Sequence, residues 1–316
     1  MAIDYQHDGG VAPEQSHAYN QGFCIVIPSN ATRNPYELPG SRGDTTEIIV
    51  SIGISRLRVR NDKTTNSSRA SEGHTLLKED CMDFQGLKIT WLGHAAVRIE
   101  TTSGKIILID PWCKQNPACP ETEKDIKAVD VILLTHGHFD HAGDAVEIAR
   151  KHKPAVVGIF ELCSWLARKG VENLKPMNKG GSQMVGDIRV TMVQALHSSG
   201  FDDDGQVIYA GEPCGYVIEF ENGLKVYHAG DTAVFGDMQI IHELYKPEIA
   251  LLPIGDHFTM GPREATYACR LLRPKAVIPI HHSTFPILTG TPTDFKNMAA
   301  DLGIEVIVLK PGESTQ

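Results

Sequence analysis

Long apolar runs are missing from this 316-residue chain. No stretch approaches the roughly 18 apolar residues that would suggest a membrane-spanning helix. A basic stripe is missing too: 30 Lys and Arg stand against 39 Asp and Glu, for a net charge of -9. That balance makes a long polyanionic nucleic acid a poor partner and leaves a small molecule as the expected one. The first ten residues carry Asp4 and Asp8 and no basic, apolar start, which argues against a secretory signal or a mitochondrial presequence. The seven cysteines (Cys24, Cys81, Cys113, Cys119, Cys163, Cys214 and Cys269) are scattered, odd in number and form no C-x-x-C pair. Such usage predicts free thiols in a reducing compartment, so the expected location is the cytoplasm. Cys113 and Cys119, which flank Asn116-Pro117, read as two loop thiols.

Against this background one stretch stands out. Within Leu134 to Asp144, three histidines and an aspartate (His136, His138, Asp140, His141) fall in six positions, directly after the apolar run Val131 to Leu134. That run is short and β-branched and reads as a buried strand. Gly143 with Ala145, Val146, Ile148 and Ala149 reads as the start of a helix. The polar residues therefore sit on a strand-to-helix loop, where open α/β sheets keep their sites. Three imidazoles held together would repel as cations. A metal ion, which takes neutral imidazole nitrogen and carboxylate oxygen, is the economical reason to group them.

Residues 1–85 read as a weakly ordered N-terminal extension, polar and rich in Pro, Gly, Ser, Thr and Asn, with two strand-like runs, Phe23 to Ile27 and Glu47 to Ile54. Order is expected from Leu87. Strands and helices alternate through 86–311, and 312–316 is a tail. Asp202 to Gly211 reads as an acidic, glycine-flanked loop able to cover a site. Cys214 to Phe220 and Leu224 to His228 read as a hairpin across an Asn-Gly turn. The pattern predicts an α/β protein with two packed sheets and helices outside. His152 and His242 are expected on exposed helix faces.

Further polar residues end strand-like runs: His197 after Val190 to Leu196, Asp231 after Val226 to Gly230, Asp256 and His257 after Ala250 to Gly255, and His281 and His282 after Val277 to Ile280. If the strands run the same way, their ends gather His136, His138, Asp140, His141, His197, Asp231 and either His281 or His282. Seven ligands exceed one tetrahedral zinc and suit two metals sharing a carboxylate. His94 also ends a strand and is a candidate for the pocket. Asp110 reads as a brace for the histidine loop, His228 as a structural hydrogen-bonding residue, and Asp256 and His257 as substrate-contact candidates. Trp91, Trp112 and Trp165 are expected in the core or a pocket wall.

The segment Thr135-His136-Gly137-His138-Phe139-Asp140-His141 resembles the metallo-β-lactamase superfamily signature, and Gly230-Asp231-Thr232 its later aspartate motif. Ile89 to His94, Leu108 to Pro111, Tyr227 to Thr232, Leu252 to Asp256 and Ile278 to His281 are similar to the small metal-dependent hydrolases of that superfamily. These stand near the ascorbate-6-phosphate lactonases and more distantly near the N-acyl-phosphatidylethanolamine phospholipase D enzymes. The resemblance covers about residues 86–311 and implies a four-layer αββα sandwich.

Carried over, it implies that His136, His138 and His197 hold one metal, that Asp140, His141 and His281 hold the second, and that Asp231 bridges them. It selects His281 and leaves His282, at a position often filled by tyrosine, near the substrate. The expected cofactors are two divalent ions, zinc first, with manganese and iron as alternatives. The implied activity is hydrolysis by a hydroxide held between the metals, with Asp140 orienting it, on an ester or lactone of a small molecule. Phosphodiester hydrolysis of a small or lipid-like substrate is the second reading, and a non-catalytic, metal-stabilised binding protein is the third. A homo-oligomer is compatible with all three.

Overall fold

The computed structural model describes residues 81–203 and 205–315. The expected extension lies outside these up to residue 80, as do its two strand-like runs and Cys24.

The first sheet runs in sequence order through β1 (Lys88–Gly93), β2 (Ala96–Glu100), β3 (Ile106–Ile109), β4 (Val131–Leu133), β5 (Ala155–Ile159) and β6 (Leu174–Met177). β1 to β3 form an antiparallel meander, and β3 to β6 are parallel. Parallel neighbours need crossovers. These are α1 (Phe139–Ala142) with α2 (Ala145–His152) between β4 and β5, and α3 (Phe160–Arg168) between β5 and β6.

The second sheet is built from β7 (Ser182–Val185), β8 (Ile188–Gln194), β11 (Cys214–Glu219), β12 (Lys225–His228), β13 (Ile249–Pro253), β14 (Ala276–Ile280) and β15 (Glu305–Val306). A separate hairpin, β9 (Gly200–Asp203) with β10 (Gln206–Tyr209), precedes β11. Spatial order in the second sheet is β15-β14-β13-β12-β11-β8-β7. Helices α4 (Met238–Tyr245), α5 (Pro262–Leu272) and α6 (Pro292–Ala299) connect and cover its parallel half.

Side-chain alternation decides the layering, because successive strand residues face opposite ways. Tyr216, Ile218, Val226, Ile249, Leu251, Ile278 and Ile280 join a core shared with Ile89, Val97, Ile99, Ile107 and Leu133 of the first sheet. Their neighbours Val217, Tyr227, Ala250, Leu252 and Val277 pack instead with Met238, Ile241, Ala265, Leu272 and Phe295 of α4 to α6. The result is the αββα sandwich. Each fully buried Ile or Leu of the inter-sheet core contributes about 1.5–3 kcal/mol over leaving it exposed.

Several elements depart from expectation. The stretch Asp202 to Gly211 is largely a hairpin strand rather than a loop. Its Val207-Ile208-Tyr209 run favours extended backbone, and Asp203 accepts from Trp165 Nε1 at 3.0 Å, tying it to α3. The last strand, read from the sequence over Ile304 to Leu309, is only Glu305–Val306. His152 and His242 are half-buried, not exposed, and His152 Nε2 donates to the Ile126 carbonyl at 3.0 Å. Residues 312–315 lie along β1, with Gly312 N–H donating to the Trp91 carbonyl at 2.7 Å and Thr315 N–H to that of Ile89 at 2.9 Å.

Candidate metal centre

Strand direction brings the polar ends together. β12, β13 and β14 are parallel, and β8 shares their sense because β11 is antiparallel to both β8 and β12. His197, Asp231, Asp256 and His281 therefore leave one edge of the second sheet. In the first sheet β1, β3 and β4 likewise share a sense, so His94, Asp110 and the histidine loop leave a common edge.

The histidine loop is built by Asp110. This residue ends β3 in the left-handed region (φ 48) and is fully buried. Its Oδ1 accepts from Thr135 N–H at 2.8 Å, and its Oδ2 accepts from Thr135 Oγ1 at 2.6 Å and from His141 Nδ1 at 2.8 Å. Tyr216 Oη–H donates to the Leu134 carbonyl at 2.7 Å, and Cys214 N–H to that of Thr135 at 3.0 Å, holding the loop against the second sheet. His138 caps α1 with its backbone carbonyl, which accepts from Ala142 N–H at 2.9 Å and places Asp140 and His141 on one short turn.

These bonds assign the tautomers. A carboxylate only accepts, so the hydroxyl hydrogen of Thr135 goes to Asp110. Thr135 Oγ1 must then accept from His136 Nδ1–H, at 3.0 Å, which leaves His136 Nε2 bare. His141 Nδ1–H is spent on Asp110 in the same way, leaving its Nε2 bare. Such partners on the far nitrogen are how metal-binding imidazoles are oriented.

Four imidazole Nε2 atoms gather around one carboxylate oxygen. Asp231 Oδ2 lies 3.1 Å from His281 Nε2, 3.2 Å from His141 Nε2, 3.6 Å from His197 Nε2 and 4.0 Å from His136 Nε2. His136 Nε2 is also 3.0 Å from His138 Nδ1. The His141–Asp231 approach is short, yet its geometry is not that of a hydrogen bond. His141 Nε2, His281 Nε2 and Asp231 Oδ1 are buried polar atoms without a hydrogen-bond partner. Lone pairs aimed at one another in a dry pocket are costly unless a cation lies among them. The donor set fits divalent metal on this ground. Two groups suit separate ions: His136, His138 and His197, and His94, Asp140, His141 and His281.

Electrostatics agree. Burial, then the charge of His141, holds His136 well below the ordinary imidazole range, and burial foremost lowers His138 and His197. Neutral imidazole is the form a metal needs. Burial opposes charge on Asp231 as well, but His141 and His281 outweigh it and keep the carboxyl well below its usual range. Burial opposes charge on His141, and there Asp231 and Asp110 prevail and raise it well above 6.5. The pocket thus demands positive charge between these carboxylates. Asp140, despite desolvation, is drawn to about 2 by its bond to His94.

The remaining candidates separate. His94 is fully buried and reaches Asp140. His282 turns away from Asp231 and packs on Trp91, ring centroids 4.6 Å apart, and burial lowers it to about 4. His228 is buried and accepts from Gly230 N–H at 3.1 Å. Asp256 and His257 are exposed and stand outside both ligand groups. Sequence reading missed Thr284, which meets His94 at 3.0 Å. It also missed Phe285, which with Trp112 and Phe139 forms an aromatic wall beside His94. No local signal marks either residue.

The Beta-lactamase superfamily domain matches residues 105–282. A UPF0173 metal-dependent hydrolase of Koribacter versatilis is 61% identical over 233 residues, covering 74% of this chain and 99% of the relative. Another, from Rubrobacter xylanophilus, is 52% identical over 231 residues, 72% of this chain and 96% of the relative. Among solved structures, Igni18, a metallo hydrolase from Ignicoccus hospitalis, superposes with a TM-score of 0.64 at 38% identity, over 72% of this chain and 97% of its own. An isothiocyanate hydrolase from Delia radicum gut bacteria shares the fold alone (TM-score 0.58, 23% identity, 72% of this chain and 98% of its own). This chain belongs to the metallo-β-lactamase superfamily, among its UPF0173 metal-dependent hydrolases.

Proposed function

We propose that this metal-dependent hydrolase works with two divalent cations, zinc foremost, and cleaves an ester or lactone bond of a small molecule in the cytoplasm. His136, His138 and His197 would hold one ion and Asp140, His141 and His281 the other, with Asp231 between them. The observation that carries this is the Asp231 carboxylate, whose Oδ2 lies within 4.0 Å of four imidazole nitrogens drawn from both sheets. Such ions supply Lewis acidity, acidifying water and offsetting charge that grows on the scissile oxygen. Asp140, kept ionised, orients the attacking water and accepts its proton in transit. His94 and the wall of Trp112, Phe139 and Phe285 shield that side from bulk solvent.

The choice of an acyl substrate over a phosphodiester rests on charge. Among the described residues, every ion pair made by Asp110, Asp140 and Asp231 is to histidine and none is to Lys or Arg. Phosphate recognition usually recruits such cations. Membership among the metal-dependent hydrolases leaves the non-catalytic reading without support. No helix of the described residues is long and apolar enough to cross a membrane. Cys113, Cys119, Cys163, Cys214 and Cys269 are buried free thiols, which suits the cytoplasm.

Protein loaded with zinc or manganese should be assayed on p-nitrophenyl acetate, a γ-lactone and bis-p-nitrophenyl phosphate, with metal counted by mass spectrometry. The expected result is two ions per chain and turnover of the acyl substrates that chelation abolishes and metal restores. Turnover of the phosphodiester alone, or full activity with one ion, overturns the proposal.

A further inference from the structure

We propose that His94, locked in one tautomer by Thr284, is the positioning residue that sets the Asp140 carboxylate. The inference rests on the role given to Asp140 above.

Three observations carry it. The first is the fixing of the His94 backbone. His94 follows β1 in the left-handed region (φ 55), after Gly93 (φ 100), where an added Cβ would stand 3.0 Å from Ala118. Its carbonyl accepts from Trp91 Nε1 at 2.7 Å and from His281 N–H at 2.8 Å. One peptide oxygen therefore joins the end of the first sheet to the loop after β14.

The second is the box around the ring. The His94 side chain is fully buried, 3.9 Å from the His281 ring, with Trp112 at 5.4 Å and Phe285 at 5.5 Å edge-on. A ring so enclosed has no room to swing to another rotamer.

The third is the bonding inventory. His94 Nε2 lies 3.0 Å from Asp140 Oδ2, and His94 Nδ1 lies 3.0 Å from Thr284 Oγ1. The carboxylate only accepts, so the ring hydrogen sits on Nε2. Nδ1 is then a bare lone pair and must receive the Thr284 hydroxyl hydrogen, at 3.0 Å, in preference to the His282 carbonyl at 3.2 Å. The relay is Thr284 Oγ1–H to His94 Nδ1, and His94 Nε2–H to Asp140 Oδ2.

Asp140 has no other protein hydrogen bond among the described residues, so the relay alone fixes its rotation and leaves Oδ1 for ion and water. Asp110 differs: three donors occupy it, and it serves as scaffold. Thr284 and His94 come from different sheets, so the relay forms only when both loops are seated.

The test compares wild type with His94→Gln, which keeps a donor near Nε2, His94→Ala, Thr284→Val and Thr284→Ser in metal-loaded protein. Long-range 15N–1H NMR of the wild type should show the His94 hydrogen on Nε2. Thr284→Val and His94→Ala should lower kcat about 10- to 100-fold, the range for residues that orient metal-site groups, with KM little changed and two ions per chain retained. Thr284→Ser and His94→Gln should recover most of that loss. A hydrogen on Nδ1, a metal-coordinated Nε2 signal, or loss of one ion in His94→Ala but not in Thr284→Val would make His94 a ligand and overturn the inference. Wild-type kcat in Thr284→Val would do the same. A wild type that lacks two ions or acyl turnover would instead sink the functional reading on which the inference rests. If His94→Ala proves unfolded by its melting curve, Thr284→Val and the wild-type spectrum decide.

Discussion

The two sheets reach the proposed metal centre by different routes. From the first sheet, His136, His138, Asp140 and His141 arrive on one short segment, shaped by Asp110 and a single helical turn. From the second, His197, Asp231 and His281 arrive singly from three strand ends. The first segment keeps ordinary backbone, with His138 at φ -63. In the second set Asp231 follows left-handed Gly230 (φ 63) and His281 is itself left-handed (φ 55), while in the first sheet such residues, His94 (φ 55) and Asp110 (φ 48), lie outside the segment. Such conformations cost roughly 1–3 kcal/mol each for non-glycine residues and persist only where the surroundings impose them. A local cluster can be made by sequence spacing alone. A cluster assembled from separate strand ends depends on how each exit is shaped, and two of the three exits here use left-handed backbone.

Asp231→Asn should break the comparison most completely. It removes the one charge on which both sets converge, so both ions should be lost and turnover should fall by more than about 100-fold, beyond the range for an outer group. His138→Ala should lose one ion only, and metal analysis separates the two outcomes. Loss of a single ion in Asp231→Asn would place the bridge elsewhere.

Gly230→Ala comes next. At φ 63 an added Cβ would stand 2.6 Å from the Cys214 carbonyl and 2.9 Å from Thr135 Cβ. Strain and overlap together should cost about 2–4 kcal/mol in urea unfolding. Gly137→Ala in the first segment has no left-handed backbone, and its Cβ overlaps one atom, the Ala210 Cβ at 2.6 Å, with the Gly200 carbonyl and Ser199 Oγ at ordinary contact. Its cost should be about 1–2 kcal/mol. Equal costs would remove the distinction between the two routes.

Asp110→Asn tests the scaffold of the first segment. An amide cannot accept at both oxygen positions, so His141 or Thr135 loses its partner. Metal affinity should fall about 10- to 100-fold by titration calorimetry, while the fold is retained.

The smallest effect lies at the edge opposite the proposed metal centre. Glu221 there accepts from Thr102 Oγ1 at 2.8 Å and from Ser103 N–H at 3.0 Å, linking turns of the two sheets. Desolvation opposes its charge, but its own backbone N–H, with Thr102 and Ser103, outweighs it and brings the carboxyl from 4.5 to about 2. A depressed folded value means its stabilisation is complete above 4.5 and is lost as pH falls through about 2. Glu221→Gln should therefore lower stability slightly at neutral pH, flatten the acid limb over that window and leave stability near pH 2 unchanged, as melting curves against pH would reveal. Screening at this exposed site keeps the effect small.

Much of this was legible beforehand where signals are local. Val131 to Leu134 followed by the histidine cluster announces a strand-to-helix loop, and the Asn222-Gly223 turn announces its hairpin. Val207 to Tyr209 misled, because glycines and acids around it look like loop while its own residues favour a strand. Thr284 and Phe285 were illegible. A threonine and a phenylalanine after a strand mean nothing until the fold seats them against a histidine far away in the chain.

The chain's residue order was enough to specify ligand chemistry: which imidazoles and carboxylates are available, and that four of them share a loop. Strand alternation left open which of two adjacent histidines faces Asp231; the family resemblance selected His281, and tertiary structure supplies the physical cause. His281 Nε2 lies 3.1 Å from it, while His282 is turned onto Trp91. It also set the tautomers of His94, His136 and His141, since each depends, directly or through Thr135, on a partner from a distant part of the chain. The physical reason is that spacing along a chain constrains only near neighbours. Where a lone pair points is settled by hydrogen bonds across the sandwich, which exist only once both sheets are packed.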